Sequence, residues 1–218
     1  MPHQIARKAM VDGQLRPNRI TEPRLLTVMG ALPREDFLPP GLLARAYVDE
    51  DVRLPGGRAL MEPMIIARLI QLLALRPGDR VLVAGAGTGY AAAILAGLGG
   101  RVTAVEADAG LLAIARPALA AHTAPGAVTL VEAPPAGGHP AAAPFDAILI
   151  EGAIPALPDA LVAQLAEGGR LAAILAGGAP RTRAVLGRRV GAGFGTVDAF
   201  DCATLPLPGF ATRPSFVF

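Results

Sequence analysis

The sequence predicts an α/β protein built on a doubly wound, mostly parallel sheet, and two patterns support this fold class. From Glu62 onward, runs of Val, Ile, Leu and Ala alternate with segments whose apolar residues recur at helical spacing. Such continuous apolar strands, alternating with helices, are typical of a parallel sheet that is covered on both faces. After residue 180, two extended runs flank the sequence GAG, which predicts an antiparallel hairpin that closes the sheet.

The first 60 residues differ from this repeating pattern. Residues 4–15 and 23–32 carry apolar positions at helical spacing, whereas residues 33–60 are rich in proline and mixed charge. A long irregular segment of this kind is usually functional or wraps a surface. We therefore divide the chain into an N-terminal helical and irregular extension, residues 1–60, and a main domain, residues 61–218.

The main domain is predicted to follow one order of helices and strands. Its first helix has Pro63 in the first turn, where the missing N–H costs little. The predicted elements are a helix over 62–75, a strand over 80–85, a helix over 89–99, a strand over 101–107, a helix over 108–122, strands over 127–133 and 145–152, a helix over 158–169 and a strand over 170–177.

Composition argues against several classes of protein. The formal net charge is only +2 and aromatic residues make up 4% of the chain, which does not favour a nucleic-acid surface. No apolar run reaches the roughly 18 residues of a membrane span, and the N-terminus lacks a secretory apolar region, so we expect a soluble cytoplasmic protein. Cys202 stands alone, and His3, His122 and His139 show no ligand spacing, so we expect no metal site.

The sequence VLVAGAGTGY, residues 81–90, ends the first strand of the main domain in a glycine turn. Gly85, Gly87 and Gly89 allow a sharp turn and close approach of a ligand to the backbone. A phosphate-binding loop would need Lys and Ser or Thr after the glycines, where this chain has Tyr90 and Ala91. A dinucleotide fingerprint would place its third glycine at Tyr90. The spacing G-x-G-x-G is instead typical of S-adenosylmethionine sites, although a plain strand–helix turn remains an alternative.

Glu106 ends the next strand and is placed to accept hydrogen bonds from both hydroxyls of a ribose. An acid at this position also occurs in NAD enzymes, so Glu106 indicates a nucleoside without choosing the cofactor. This interpretation fails if a solved complex places the nucleoside elsewhere or shows the glycine turn filled by protein side chains. The predicted cofactor-binding residues are Gly85, Ala86, Gly87, Thr88, Gly89, Tyr90, Glu106 and Ala107.

From about Met10 to its end, the chain resembles the protein-L-isoaspartate O-methyltransferases. The resemblance is carried by MVDGQL, MGALPREDFLP, AYVDEDVRLPGG, PGDRVLVAGAGTGYAAAILAGLGGRVTAVEAD and PFDAILIEGAIPALPDALVAQLAEGGRLAAIL. It implies a doubly wound seven-stranded sheet and S-adenosylmethionine as the methyl donor. It also implies methylation of a carboxylate on isomerised aspartyl residues of a protein or peptide substrate, and residues 33–60 covering the pocket on the acceptor side.

The substrate motif of that family is changed in this chain. The family pattern T-x-S-Q-P reads ALMEP here, so Ala59, Met61 and Glu62 replace Thr, Ser and Gln, while Pro63 matches. The predicted substrate-side residues are Ala59, Leu60, Met61 and Glu62. Glu62 is a candidate base for a hydroxyl-bearing acceptor, or else an acid that the helix dipole favours at a helix N-terminus.

Two further differences lie near the predicted donor. Ala133 and Pro134 stand where the family has an Asp-Gly whose carboxylate binds the adenine amino group, and Val83 replaces an acid before the glycines. Beside isoaspartyl methylation, these differences leave open a methyltransferase with another acceptor and a non-catalytic S-adenosylmethionine-binding module. An NAD(P) oxidoreductase is disfavoured by Tyr90.

Overall fold

The computed structural model describes residues 2–176 and 182–210, which fold around one seven-stranded sheet. Its α-helices are α1 (Pro2–Met10), α2 (Pro23–Ala31), α3 (Pro63–Leu72), α4 (Tyr90–Gly97), α5 (Ala109–His122) and α6 (Asp159–Val162), and a π-helical turn, Val11–Leu15, continues α1. Short 3₁₀ helices span Arg34–Phe37, Pro40–Arg45, Pro55–Gly57, Pro135–Gly137 and Pro140–Ala142. The strands are β1 (Val52–Arg53), β2 (Ala59–Leu60), β3 (Arg80–Ala84), β4 (Arg101–Glu106), β5 (Val128–Glu132), β6 (Phe145–Ile154), β7 (Leu165–Leu175), β8 (Arg183–Val190) and β9 (Gly193–Asp201).

The large sheet has the order β5-β4-β3-β6-β7-β8-β9. Strands β3 to β7 pair in parallel, and β8 and β9 add an antiparallel hairpin at one edge. The chain builds outward from β3 through β4 to β5 and then crosses back to place β6 on the other side of β3. Ligands of open α/β sheets bind beyond the carboxyl ends of the strands at such a reversal. The predicted fold class is therefore confirmed, and the reversal places the glycine turn at its centre.

The N-terminal extension packs on the same apolar core as the main domain. Buried residues of α1 and α2, such as Met10 and Leu25, belong to one cluster with those of α3 and α4. Helix α2 lies close to α4 because Gly97 has no side chain: a Cβ there would stand 2.8 Å from a methyl group of Val28. Division of the chain at residue 60 stays a prediction.

One predicted element is wrong. The sequence predicts a helix over 158–169, but α6 ends at Val162 and β7 begins at Leu165. Leu161 and Leu165 are both buried, and their spacing of four residues imitates a helix although the chain turns between them. The following residues form an irregularity in the β6–β7 ladder, where Gly168 has a φ of +71°.

The described residues contain neither a helix that could span a membrane nor a cluster of three metal-binding side chains. Within residues 2–176 and 182–210, every helix is too short or too polar to cross a lipid bilayer. In the same residues, the His, Cys, Asp and Glu side chains form no group of three that could bind a metal ion.

Candidate functional site

The glycine turn follows β3 and is held against β4 by its own backbone. The N–H groups of Gly85 and Ala86 both donate to the carbonyl of Val105, at 2.9 and 3.0 Å. The N–H of Gly89 donates to the carbonyl of Ala86 at 2.8 Å. Gly85, Gly87 and Gly89 have φ values of +77°, +54° and +89°, which side-chain-bearing residues rarely adopt. The spacing of the glycines is thus explained by the backbone of the turn.

Glu106 lies beside this turn and is 2% exposed. One carboxylate oxygen, Oε1, accepts from the N–H groups of Ala107 and Asp108 at 2.9 and 3.0 Å. The other, Oε2, accepts from the N–H of Gly87 at 2.7 Å and from Nη1 of Arg58 at 2.5 Å. An ionised carboxylate has about four lone-pair positions. All of them are therefore used within the protein.

Two side chains fill the glycine turn, which must be open when a nucleoside is bound. Arg58 is 6% exposed and donates through Nη2 to the carbonyl of Gly85 at 2.7 Å. Leu207 covers the same glycine so closely that a Cβ on Gly85 would stand 2.8 Å from its methyl groups. Leu207 is held there by a hydrogen bond from its N–H to the carbonyl of Ala153 at 2.8 Å.

Arg58 also lines two cavities. The larger has a volume of about 260 Å³ and is lined, among others, by Gly56, Arg58, Glu106, Ala107, Asp108 and Pro135. The smaller has a volume of about 10 Å³ and is lined, among others, by Arg58, Ala59, Met61, Glu151, Gly152 and Leu207. Ligand pockets usually measure about 300–1,000 Å³. The chemistry of Glu106 and the glycine backbone fits a nucleoside, while each cavity beside them is smaller than such a pocket.

Thr88 and Tyr90 lie in the protein interior. Thr88 is 1% exposed, and its hydroxyl has no hydrogen-bond partner among the described residues. The ring of Tyr90 packs edge-on against Phe37 at a centroid distance of 5.3 Å, and the guanidinium of Arg34 lies 4.8 Å from its centroid. Tyr90 thus connects the start of α4 to the N-terminal extension. The cofactor-binding role of both residues stays a prediction.

The substrate-side residues form β2 and the link to α3. Leu60 and Met61 are buried, and Ala59 is half-buried. Met61 is fixed through its backbone, since its carbonyl accepts from Nη2 of Arg34 at 2.6 Å. Ala59 and Met61 line the smaller cavity together with Arg58. The structure therefore places two of the altered motif positions against the space next to the glycine turn.

Glu62 stands at the N-terminus of α3 but is not stabilised there as an anion. Its N–H donates to Oδ1 of Asp51 at 2.8 Å, and its own side chain makes no capping hydrogen bond. Burial raises the pKa of the Glu62 carboxyl to about 7, and the charges of Asp49 and Asp51 add to this effect. The dipole of α3 acts in the opposite direction, since the positive end of a helix favours an ionised carboxylate. A carboxyl that titrates near neutrality suits a general base.

Glu151 is a site residue that sequence reasoning missed. It lies near the carboxyl end of β6, is 5% exposed, and its Oε2 has no hydrogen-bond partner among the described residues. Burial raises the pKa of Glu151 to about 8, against the opposing effect of Arg58 and with a smaller contribution from Glu106. The position of the acid in ILIEG, next to the sheet reversal, is the signal that could have identified it.

Known proteins resemble this chain in sequence and fold. A family model described as protein-L-isoaspartate(D-aspartate) O-methyltransferase matches residues 6–182. A protein-L-isoaspartate O-methyltransferase of Methylorubrum populi is 47% identical over 166 residues, which are 76% of this chain and 77% of the relative. One from Koribacter versatilis is 37% identical over 204 residues, which are 93% of this chain and 90% of the relative.

Solved structures agree with the fold. A protein-L-isoaspartate O-methyltransferase structure superposes with a TM-score of 0.79 at 22% identity, over 94% of this chain and 67% of that one. A Plasmodium falciparum chain described as a protein-L-isoaspartate O-methyltransferase, crystallised with S-adenosyl-L-homocysteine, gives 0.78 at 20% identity over 93% and 98% of the two chains. The seven-stranded arrangement is therefore shared with these structures.

Proposed function

Because the chain belongs to the protein-L-isoaspartate(D-aspartate) O-methyltransferase family, we propose that it methylates the carboxylate of isomerised aspartyl residues in protein substrates, in protein repair. S-adenosylmethionine is the methyl donor of this family. The observation that carries the proposal is the position of Glu106, a buried acid beside a glycine turn at the sheet reversal. This is the place where an α/β sheet binds a nucleoside.

The donor would be held by the backbone of residues 85–89 and by the carboxylate of Glu106. S-adenosylmethionine supplies a methyl group on a sulfonium sulfur, and an acceptor carboxylate can take it without a base because it is already an anion at neutral pH. The protein therefore contributes mainly by positioning the acceptor. Ala59 and Met61 line the smaller cavity, and they would offer apolar contact to an acceptor once that cavity is enlarged.

Glu62 supports a second candidate function, which is methyl transfer to a hydroxyl group. A hydroxyl must lose its proton as the new bond forms, and a carboxyl with a pKa of about 7 can accept that proton. For an isoaspartyl carboxylate the same side chain has the opposite effect, because an ionised Glu62 repels the acceptor. The two candidate functions thus assign different roles to one residue.

Transfer of a labelled methyl group to synthetic peptides tests the proposal. We expect an isoaspartyl peptide to be labelled and its aspartyl twin to remain unlabelled. Glu106→Ala should strongly reduce labelling at limiting S-adenosylmethionine, while Glu132→Ala should preserve it, since Glu132 is exposed at the matching position of the neighbouring strand β5. Labelling of hydroxyl-bearing acceptors alone would favour the second candidate, and no labelling of any peptide or extract component would favour a non-catalytic module.

A further inference from the structure

We infer that the Arg58 side chain is a gate for the methyl donor. In the free protein its guanidinium is hydrogen-bonded to the Glu106 carboxylate. S-adenosylmethionine binds only when this side chain moves away. The inference rests on the proposed function, because it concerns the nucleoside site at the same turn. Its basis is that Arg58 uses the acid, the backbone and the space that a nucleoside needs.

The hydrogen bonds of Glu106 identify Arg58 as the group that can leave. Glu106 accepts four hydrogen bonds, and three of the donors are the backbone N–H groups of Gly87, Ala107 and Asp108. The glycine turn and the start of α5 hold these three groups in place. The fourth is the Arg58 guanidinium at 2.5 Å. A ribose hydroxyl can donate to Glu106 only at a lone pair that one of these donors releases. Rotation of a side chain achieves this without changing the turn.

The cavities support the same conclusion. Arg58 lines both the cavity of about 260 Å³ beside Glu106 and the cavity of about 10 Å³ beside Ala59 and Met61. S-adenosylmethionine would bind with its nucleoside beside Glu106 and its methyl group near the acceptor beside Ala59 and Met61. It must therefore span both spaces. Because Arg58 lines both cavities, its departure would enlarge both spaces and release an acceptor position on Glu106 in one movement.

The local backbone permits such a movement. Arg58 follows the 3₁₀ turn Pro55–Gly57, in which Gly56 and Gly57 have φ values of +68° and +72°. It precedes β2, which pairs with β1 over only two residues on each strand. Such a short ladder costs little to adjust. The charge-assisted hydrogen bonds of the Arg58 guanidinium to Glu106 and to the carbonyl of Gly85 favour the closed form in the free protein.

Calorimetric binding of S-adenosyl-L-homocysteine tests the gate without requiring catalysis. If the closed form outnumbers the open form by about ten to one, the apparent affinity of the wild type is weakened about tenfold. We therefore expect Arg58→Ala to bind at least about ten times more tightly than the wild type. Arg58→Met, which removes the charge and keeps much of the bulk, should show a smaller gain. Arg53→Ala is the matched control, since Arg53 is exposed on β1 of the same segment and should leave affinity unchanged.

A second measurement uses the wild type and covers the case in which the variants fail to fold. The arginine reagent phenylglyoxal, followed by peptide mass spectrometry, should modify Arg58 slowly in the free protein and faster when S-adenosyl-L-homocysteine is bound. Continued protection of Arg58 in the bound protein would overturn the inference, as would equal or weaker affinity of Arg58→Ala.

Failure of the gate can be distinguished from failure of the proposed function. Isoaspartyl methylation with unchanged affinity in Arg58→Ala would overturn only the gate. Tighter binding in Arg58→Ala without methylation of any isoaspartyl peptide would support the gate and overturn only the function. Absence of binding in both the wild type and Arg58→Ala would overturn both.

Discussion

The donor half of the site, residues 85–89 with Glu106, differs from the acceptor half, residues 58–62 with Glu151, in what satisfies its polar groups. In the donor half, backbone N–H groups pin the turn and supply three of the four hydrogen bonds to Glu106. In the acceptor half, the pKa values of the Glu62 and Glu151 carboxyls are raised. Oε2 of Glu151 has no hydrogen-bond partner among the described residues. The donor half is therefore preorganised, and the acceptor half contains the groups whose charge can change.

Glu106→Ala should have the largest effect, because it removes the anion that neutralises buried Arg58. Loss of one member of a buried ion pair costs about 3–5 kcal/mol of unfolding free energy. Chemical denaturation measures this loss.

Affinity of Glu106→Ala for S-adenosyl-L-homocysteine should also fall, by an amount that corresponds to about 1.5–3 kcal/mol for a hydrogen bond to a charged group. Glu132→Ala serves as the control, because Glu132 is exposed, and its free energy of unfolding should stay within about 0.5 kcal/mol of the wild-type value. Unchanged affinity in Glu106→Ala would refute its role toward the ribose.

Glu151→Gln should change how stability depends on pH. The pKa of Glu151 is raised to about 8 in the folded protein from an ordinary value of 4.5, so the unfolded chain releases this proton at lower pH. Between these values a rise in pH favours unfolding, and the wild type loses stability on the order of a few kcal/mol. Glu151→Gln removes this contribution.

Thermal unfolding of the wild type and Glu151→Gln from pH 5 to pH 8 measures the effect. The advantage of the variant should grow with pH, whereas exposed Glu132→Gln should show no such trend. Parallel curves for the wild type and Glu151→Gln would contradict the raised pKa.

Gly85→Ala tests the close packing of the donor half. Gly85 and Gly57 have similar φ values, +77° and +72°, but a Cβ meets Leu207 at 2.8 Å in the first case and has nothing within 4 Å in the second. Gly57→Ala should cost about 1–2 kcal/mol for the left-handed backbone, and Gly85→Ala about 1–3 kcal/mol more for overpacking. Denaturation curves measure both, and the extra cost should shrink in the Gly85→Ala, Leu207→Ala double variant. Equal costs at the two glycines would show that Leu207 does not press on the turn.

Glu62→Gln should have the smallest effect and one that depends on pH. Above a pKa of about 7 the carboxylate is ionised and repels an anionic acceptor, whereas below it the carboxyl is neutral. At pH 8 we expect KM for an isoaspartyl peptide to be about two- to fivefold lower in the variant than in the wild type, because the repulsion removed is a weak one between partly exposed charges. At pH 6 we expect KM of the two proteins to differ little. A large fall in kcat would instead identify Glu62 as a general base.

Sequence patterns predicted the positions of the glycine turn and of Glu106 better than the arrangement of residues 58–62 and Glu151. The glycine turn and Glu106 follow directly from strand ends and glycine spacing, since the backbone geometry of that turn requires glycine at 85, 87 and 89. The parallel sheet covered on both faces follows from alternating apolar strands and helices. The helix over 158–169 was wrong because buried leucines four residues apart occur in both a helix and a tight connection.

The side chains that fill the site could not be predicted in the same way. Arg58 is 48 positions from Glu106 in sequence, and no local pattern indicates that its guanidinium turns inward to reach that carboxylate. Leu207 contacts the turn from near the end of the described chain, through a bridge between Ala153 and Pro206. Such contacts depend on tertiary packing, which short motifs do not encode.

A crystal structure of the protein with S-adenosyl-L-homocysteine tests the central claim most directly. The predicted result is a ribose hydrogen-bonded to Glu106, with the Arg58 guanidinium moved away from that carboxylate and from the carbonyl of Gly85. A nucleoside bound elsewhere, or bound while Arg58 keeps both contacts, would contradict the account.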